Sequence, residues 1–130
     1  MYQTKTKVKI DKEVYEIGYP NVGQQLDIEA MKELLSNNKY AQLASTGSKT
    51  ATQLLDYIDA VSNFIVLIPA IKEKMTDKDG KINIKAFVET DPNFQKRLSK
   101  AYLKYYTEFV IPLEKEINKE LDLEDSEESE

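Results

Sequence analysis

The chain has no cysteine, no histidine and no tryptophan, and only four glycines and four prolines in 130 residues. Without cysteine there are no disulfides, no thiolate metal sites and no cysteine nucleophile. Without histidine, the usual general base at neutral pH and the commonest metal ligand are missing. Ser-His-Asp and Cys-His arrangements therefore cannot be assembled within this chain, nor can the usual zinc sites. Carboxylate or lysine chemistry is all that remains to an enzyme. It would need an enclosed pocket lined by two or more acids, so a non-enzyme is expected. Long apolar runs are also lacking: residues 64–71 form the longest, far short of a bilayer span. The N-terminal residues have no apolar region behind them, so no signal peptide is expected. These features predict a soluble cytosolic protein that needs no cofactor.

The formal net charge is -5, from 18 basic and 23 acidic residues. It is unevenly placed. Residues 122–130 carry six acids (Asp122, Glu124, Asp125, Glu127, Glu128 and Glu130) and no base, leaving a body with seventeen acids against eighteen bases. A body so close to neutral has no strong claim on nucleic acid, and the acidic stretch would repel phosphate. That stretch cannot bury enough apolar surface to order itself. One domain over residues 1–121 with an acidic disordered tail over 122–130 is expected.

Thr6, Val8 and Ile10 alternate with Lys5, Lys7 and Lys9, the period of a strand with one buried face. Asp11-Lys12 breaks the pattern and Val14 to Ile17 resumes it, which predicts a β-hairpin over residues 4–17. Helices are expected over residues 27–121. The first is capped by Asp27 and buries Ile28, Met31, Leu34 and Leu35. A short helix over residues 39–44 follows. A long one over about 50–75 carries Leu54, Leu55, Ile58, Val61, Ile65 and Ile68, is apolar all round near its end, and is kinked or ended by Pro69. Asp79-Gly80 marks a turn, and Asn83 is positioned to cap a short helix. Asp91-Pro92 starts a last helix running to about Leu121 with a kink at Pro112. Its buried face would use Phe94, Leu98, Ala101, Tyr102, Tyr105, Phe109, Leu113 and Ile117. The fold class is mainly α with a short N-terminal β-hairpin (α+β), a small helical bundle with a long kinked C-terminal helix.

Several patterns invite a chemical reading. Gly47-Ser48-Lys49-Thr50 resembles the end of a phosphate-binding loop, but Ser48 and Leu43 stand where the two glycines belong. A loop in which Ser48 or Thr50 caps a helix fits better. Asp77, Asp79 and Asn83 surround Gly80 like the centre of an EF-hand loop. Met75 and Ala86 occupy the first and twelfth positions, where calcium needs an acid and a bidentate glutamate. A plain Asp-Gly turn is the reading preferred, with no metal site. Tyr102, Tyr105, Tyr106 and Phe109 form an aromatic run that could anchor a protein partner or sit in the core with hydroxyls reaching outward. Tyr106 lies off the core stripe and is the better partner contact. The acid pairs Asp56/Asp59 and Glu13/Glu16 read as solvated faces of a helix and a strand.

The first 70 residues also carry a resemblance. A hairpin of the form Val8-Lys-Ile-Asp-Lys-Glu-Val-Tyr-Glu-Ile17 leads into Tyr19-Pro-Asn-Val-Gly-Gln-Gln-Leu-Asp-Ile-Glu-Ala-Met-Lys-Glu-Leu-Leu35. Lys39-Tyr-Ala-Gln-Leu follows, and then a helix ending Phe64-Ile-Val-Leu-Ile-Pro69. This order is similar to that in small tail assembly chaperones of tailed bacteriophages. The resemblance implies a non-enzymatic factor in the cytoplasm of a bacterial host. Such factors bind tape measure or tail tube subunits and keep them soluble until the tail polymerises. A small structural or connector protein of the virion is the alternative. Self-association is compatible with either, and no membrane partner is expected.

Overall fold

The computed structural model describes the backbone of residues 3–128 and side chains as far as Leu123. Among these residues the chain forms an N-terminal hairpin followed by helices, the α+β class expected. The alternation of Thr6, Val8 and Ile10 with lysines decides the hairpin. Lys5–Ile10 (β1) pairs antiparallel with Glu13–Gly18 (β2), Ile10 lying opposite Glu13. Asp11 makes the two-residue turn at φ 56°, a left-handed conformation that a short polar side chain tolerates. Val8, Ile10 and Ile17 are buried while the lysines stay in water.

Helix α1 spans Val22–Leu35, starting well before the expected Asp27 cap. The reason is a capping box. The Asn21 side chain accepts from the Gln24 amide at 2.8 Å, and the Gln24 side chain accepts from the Asn21 amide at 3.0 Å. Two amides at the helix start are thus satisfied before Asp27 is reached. Ile28 and Leu35 are buried, but Leu34 is 51% exposed and not part of the seam. Helix α2 spans Tyr40–Thr46 and stops at Gly47, whose φ of 68° is the left-handed stop that glycine adopts without strain. Ser48 then caps α3 by accepting from the Ala51 amide.

Helix α3, Lys49–Leu67, is the centre of the molecule, and α1, α2 and the helix that starts at Pro92 all pack on it. Tyr57, Ile58, Ala60, Val61, Phe64, Ile65 and Leu67 are buried, whereas Leu54 is 38% exposed. Pro69 ends α3 rather than bending it. Ile68 is extended (φ -124°, ψ 98°), and Pro69 becomes the first residue of α4, Pro69–Lys74, the backbone that a following proline imposes. Asn83 caps α5, Ile84–Val88, and Asp91 caps α6, Pro92–Tyr105.

The single long helix expected from Pro92 is interrupted upstream of Pro112. Tyr106–Val110 form a π-turn, in which the Ile111 amide donates to the Tyr106 carbonyl, and α7 follows over Ile111–Glu128. Pro112 has no amide proton, and its ring crowds the carbonyl four residues back, on Glu108. A wider turn relieves that crowding. It also turns both Phe109 and Val110 inward, and Val110 was not on the expected face. Helix α7 runs past Leu121 into the acidic segment as far as Glu128. The remainder of the expected disordered tail, and the side chains beyond Leu123, lie outside the described residues. Among the described residues no helix is long and apolar enough to cross a membrane.

One buried polar group is unmatched. Ser62 is 0% exposed, and its hydroxyl has no hydrogen-bond partner among the described residues. Leaving such a group unpaired costs roughly 1–3 kcal/mol. Ser62→Ala is therefore expected to raise stability by about 1 kcal/mol, whereas Phe64→Ala is expected to cost about 3–5 kcal/mol. Urea unfolding midpoints of the two variants check this, and a destabilised Ser62→Ala would contradict it.

Candidate functional site

The aromatic run divides between core and surface. Tyr105 and Phe109, 3% and 9% exposed, are core residues four positions apart on one helical face. Their rings meet edge to face at 5.7 Å, and the Tyr105 hydroxyl donates to the Gly18 carbonyl at 2.7 Å. Neither is free to meet a partner. Tyr102 is half-buried with its ring edge-on to Phe64, whereas Tyr106 is 39% exposed and lies 6.1 Å from the Tyr102 ring. The accessible part of the cluster is thus Tyr106, an edge of Tyr102, and the exposed Leu103 between them.

This patch borders a polar cluster that three helices assemble. The Tyr40 hydroxyl donates to Asp59 Oδ1 at 2.5 Å, and Lys32 Nζ lies 3.7 Å from the same oxygen and 2.7 Å from Glu29. Lys32 also sits 5.3 Å over the Tyr40 ring. Asp59 is not on a solvated face with Asp56, as its spacing suggested, because its side chain is only 26% exposed. Burial raises its pKa, and this outweighs the opposing effects of the Tyr40 hydroxyl and Lys32. Lys32, Asp56, Asp59, Ser99, Lys100, Tyr102, Leu103 and Tyr106 line a concavity of about 490 Å³. Its acids are held by Tyr40 and Lys32 or face solvent.

A larger apolar cleft of about 620 Å³ lies between the hairpin turn, α3, α4 and α6. Tyr57, Val61, Phe64 and Leu98 form its floor, and half-buried Ile71, Met75 and Phe94 form its walls. Its rim is ionic. Asp11 pairs with Arg97 at 2.8 Å, and Glu13 pairs with Lys74 at 3.2 Å. Tyr15 donates to Glu13 at 2.5 Å and accepts from Lys74 at 3.1 Å. The Tyr15 hydroxyl first, and Lys74 second, hold the Glu13 carboxyl below its ordinary range. It is therefore a carboxylate at neutral pH and has no proton to give. The size is that of a ligand or peptide-anchor site, typically about 300–1,000 Å³. Sequence reasoning did not single out this cleft. Its walls come from four separated segments, and no local periodicity signals their meeting.

The loop and turn motifs are structural. Asp77 Oδ1 accepts from the Asp79 and Lys81 amides and serves the turn, and Asn83 Oδ1 accepts from the Ala86 amide and caps α5. Gly80 takes the positive φ of 79° that the turn requires. Among the described residues no group of three or more His, Cys, Asp or Glu is placed to hold a metal. Gly47-Ser48-Lys49-Thr50 links α2 to α3, with Ser48 as the cap.

Two expectations follow. A carboxyl whose pKa is raised by folding stabilises the fold below its unfolded value, and that contribution is lost as pH rises through the folded value. Asp59→Asn should therefore gain on the parent chain as pH rises from below the ordinary carboxylate value of 3.8 toward neutrality. Melting temperatures across that range check the sign. Millimolar calcium should leave the melting temperature unchanged, since Asp77 and Asn83 are already engaged by backbone amides. Comparison with protein-family models, curated proteins and solved structures finds no match to this chain.

Proposed function

We propose that this protein is a non-enzymatic protein-binding factor that works as a phage tail assembly chaperone, holding tape measure or tail tube subunits before the tail polymerises. The observation that carries the binding role is the apolar cleft with its ion-paired rim. Burial of client apolar surface there contributes about 25 cal/mol per Å². An amphipathic client helix would present anchors three and four residues apart to the floor. The rim pairs Asp11–Arg97 and Glu13–Lys74 would set its orientation and on-rate more than its affinity. The exposed Tyr106, beside Leu103, offers a second contact. The choice of client class rests on the resemblance in residues 5–70. The working compartment on this reading is the bacterial host cytoplasm.

The test is co-purification of the protein with tape measure and tail tube subunits from host cells that make all three. Ile71→Glu with Met75→Glu places charge in the cleft walls and is expected to lower client capture about tenfold or more, a loss of roughly 1.4 kcal/mol. Cooperative melting shows that the variant still folds. Tyr106→Ala reads the second surface. Capture that survives all three substitutions would rule out both surfaces. Recovery of the protein from purified mature particles would instead favour a structural role in the virion.

A further inference from the structure

The near-neutral body conceals a segregation of charge. Helix α6 carries Lys96, Arg97, Lys100 and Lys104 and no acid, and β1, packed beside it, carries Lys5, Lys7 and Lys9 and no acid. Lys5 is paired with Glu16 and Arg97 with Asp11. The other five are exposed, and among the described residues none of them lies within ion-pair distance of a carboxylate. Lys7, Lys9 and Lys104 line a gap of about 310 Å³ between β1 and α6, and Glu108 is the one acid among the residues that line it.

Matching negative charge lies further along the chain, beginning on the last turns of α7. Residues 122–130 hold six acids and no base. The last turn of α7 contains no basic residue, and acids there oppose the helix dipole. The same end exposes apolar surface. Leu113 is buried and Ile117 half-buried, but Leu121, the next residue on that stripe, is 52% exposed, and Leu123 is 65% exposed. The stripe runs past the edge of the core that covers its beginning.

Along the helices, the α6 lysines and the start of the acidic stretch are far apart. α6, the π-turn and α7 follow one another without a reversal, and Tyr105 and Ile111 keep helical backbone angles on either side of the π-turn. Eighteen residues separate Lys104 from Asp122, a rise of about 27 Å along such a rod. Charges so far apart are screened, since the Debye length at physiological salt is about 8 Å. A second copy has no such restriction.

We propose that residues 121–130 of one copy dock on the lysine face of α6 and β1 of a second copy, so that the protein associates with itself. The acids meet Lys7, Lys9, Lys96, Lys100 and Lys104, and Leu121 is covered. The contact supplies the cations that the end of α7 lacks. The surface is separate from the apolar cleft, and only Lys100 borders the Tyr106 patch.

Sedimentation equilibrium of the full chain is the test. At about 20 mM salt, where screening is weak, the mass is expected to rise above the 15.0 kDa of one chain with concentration. It is expected to return to that value at about 500 mM salt. Lys100→Glu with Lys104→Glu, and separately Glu124→Lys with Glu127→Lys and Glu128→Lys, should each weaken association tenfold or more. Mixing the two variants should restore it, because each then offers what the other lacks. Unchanged melting temperatures show that both variants fold. A mass that stays at 15.0 kDa in low salt overturns the proposal. So does association that survives removal of residues 121–130, or a removal that shifts the melting temperature of a chain already monomeric in low salt, which would mean the segment acts within its own copy. Capture of a DNA or RNA oligonucleotide by the lysine face, with the acidic segment in place, would overturn it in favour of nucleic acid.

Discussion

Helix α3 is buried on nearly every side, and the need to cover it places its neighbours. Each large apolar side chain taken from exposure to full burial contributes about 1.5–3 kcal/mol. From Tyr57 to Ile68 almost every turn of this helix faces inward. No single neighbour can cover such a helix, so α1, α2 and α6 surround it. Its ends are set by local chemistry. Ser48 caps the start, and Pro69 forces Ile68 out of the helical conformation. That break redirects the chain into α4, which becomes a wall of the apolar cleft. The cleft is thus a by-product of how the central helix must stop.

Tyrosine does much of the joining. Tyr57 stacks on Phe87 at 4.8 Å and donates to Thr90 at 2.8 Å, tying α3 to α5 and the loop beyond it. Tyr40 ties α2 to α3 through Asp59, and Tyr105 ties α6 to the end of the hairpin through Gly18. In each case the ring contributes apolar area and the hydroxyl finds a polar atom on another element. A chain without tryptophan or cysteine staples its elements this way. The sequence left two readings of the aromatic run open. The structure assigns Tyr105 and Phe109 to the core and leaves Tyr106 outside it.

Charge follows a different logic from packing. A near-neutral body suggested an electrostatically bland surface, yet net charge is silent about placement. The lysines of β1 and α6 come from segments some 90 residues apart and meet only because α6 packs beside the hairpin. The same packing sets Arg97 against Asp11, and α4 brings Lys74 to Glu13, on the rim of the cleft.

Elements whose causes are local were legible in the chain. Period-two alternation made the hairpin legible, Asp91-Pro92 and Asn83 marked helix starts, and the apolar run over residues 64–71 announced a buried helix end. Even here one local cause lies outside the apolar pattern: Asn21 and Gln24 form a reciprocal cap that starts α1 ahead of Asp27. The remaining features depend on partners distant in sequence. Pro112 foretold an irregularity, but its resolution as a π-turn over Tyr106–Val110 brings both Phe109 and Val110 to the core. Asp59 looked solvated until Tyr40 and Lys32 closed over it from two other helices. The cleft and the lysine face exist only where separate segments converge. Periodicity reports which way a side chain points along its own element, and it carries no information about what stands opposite.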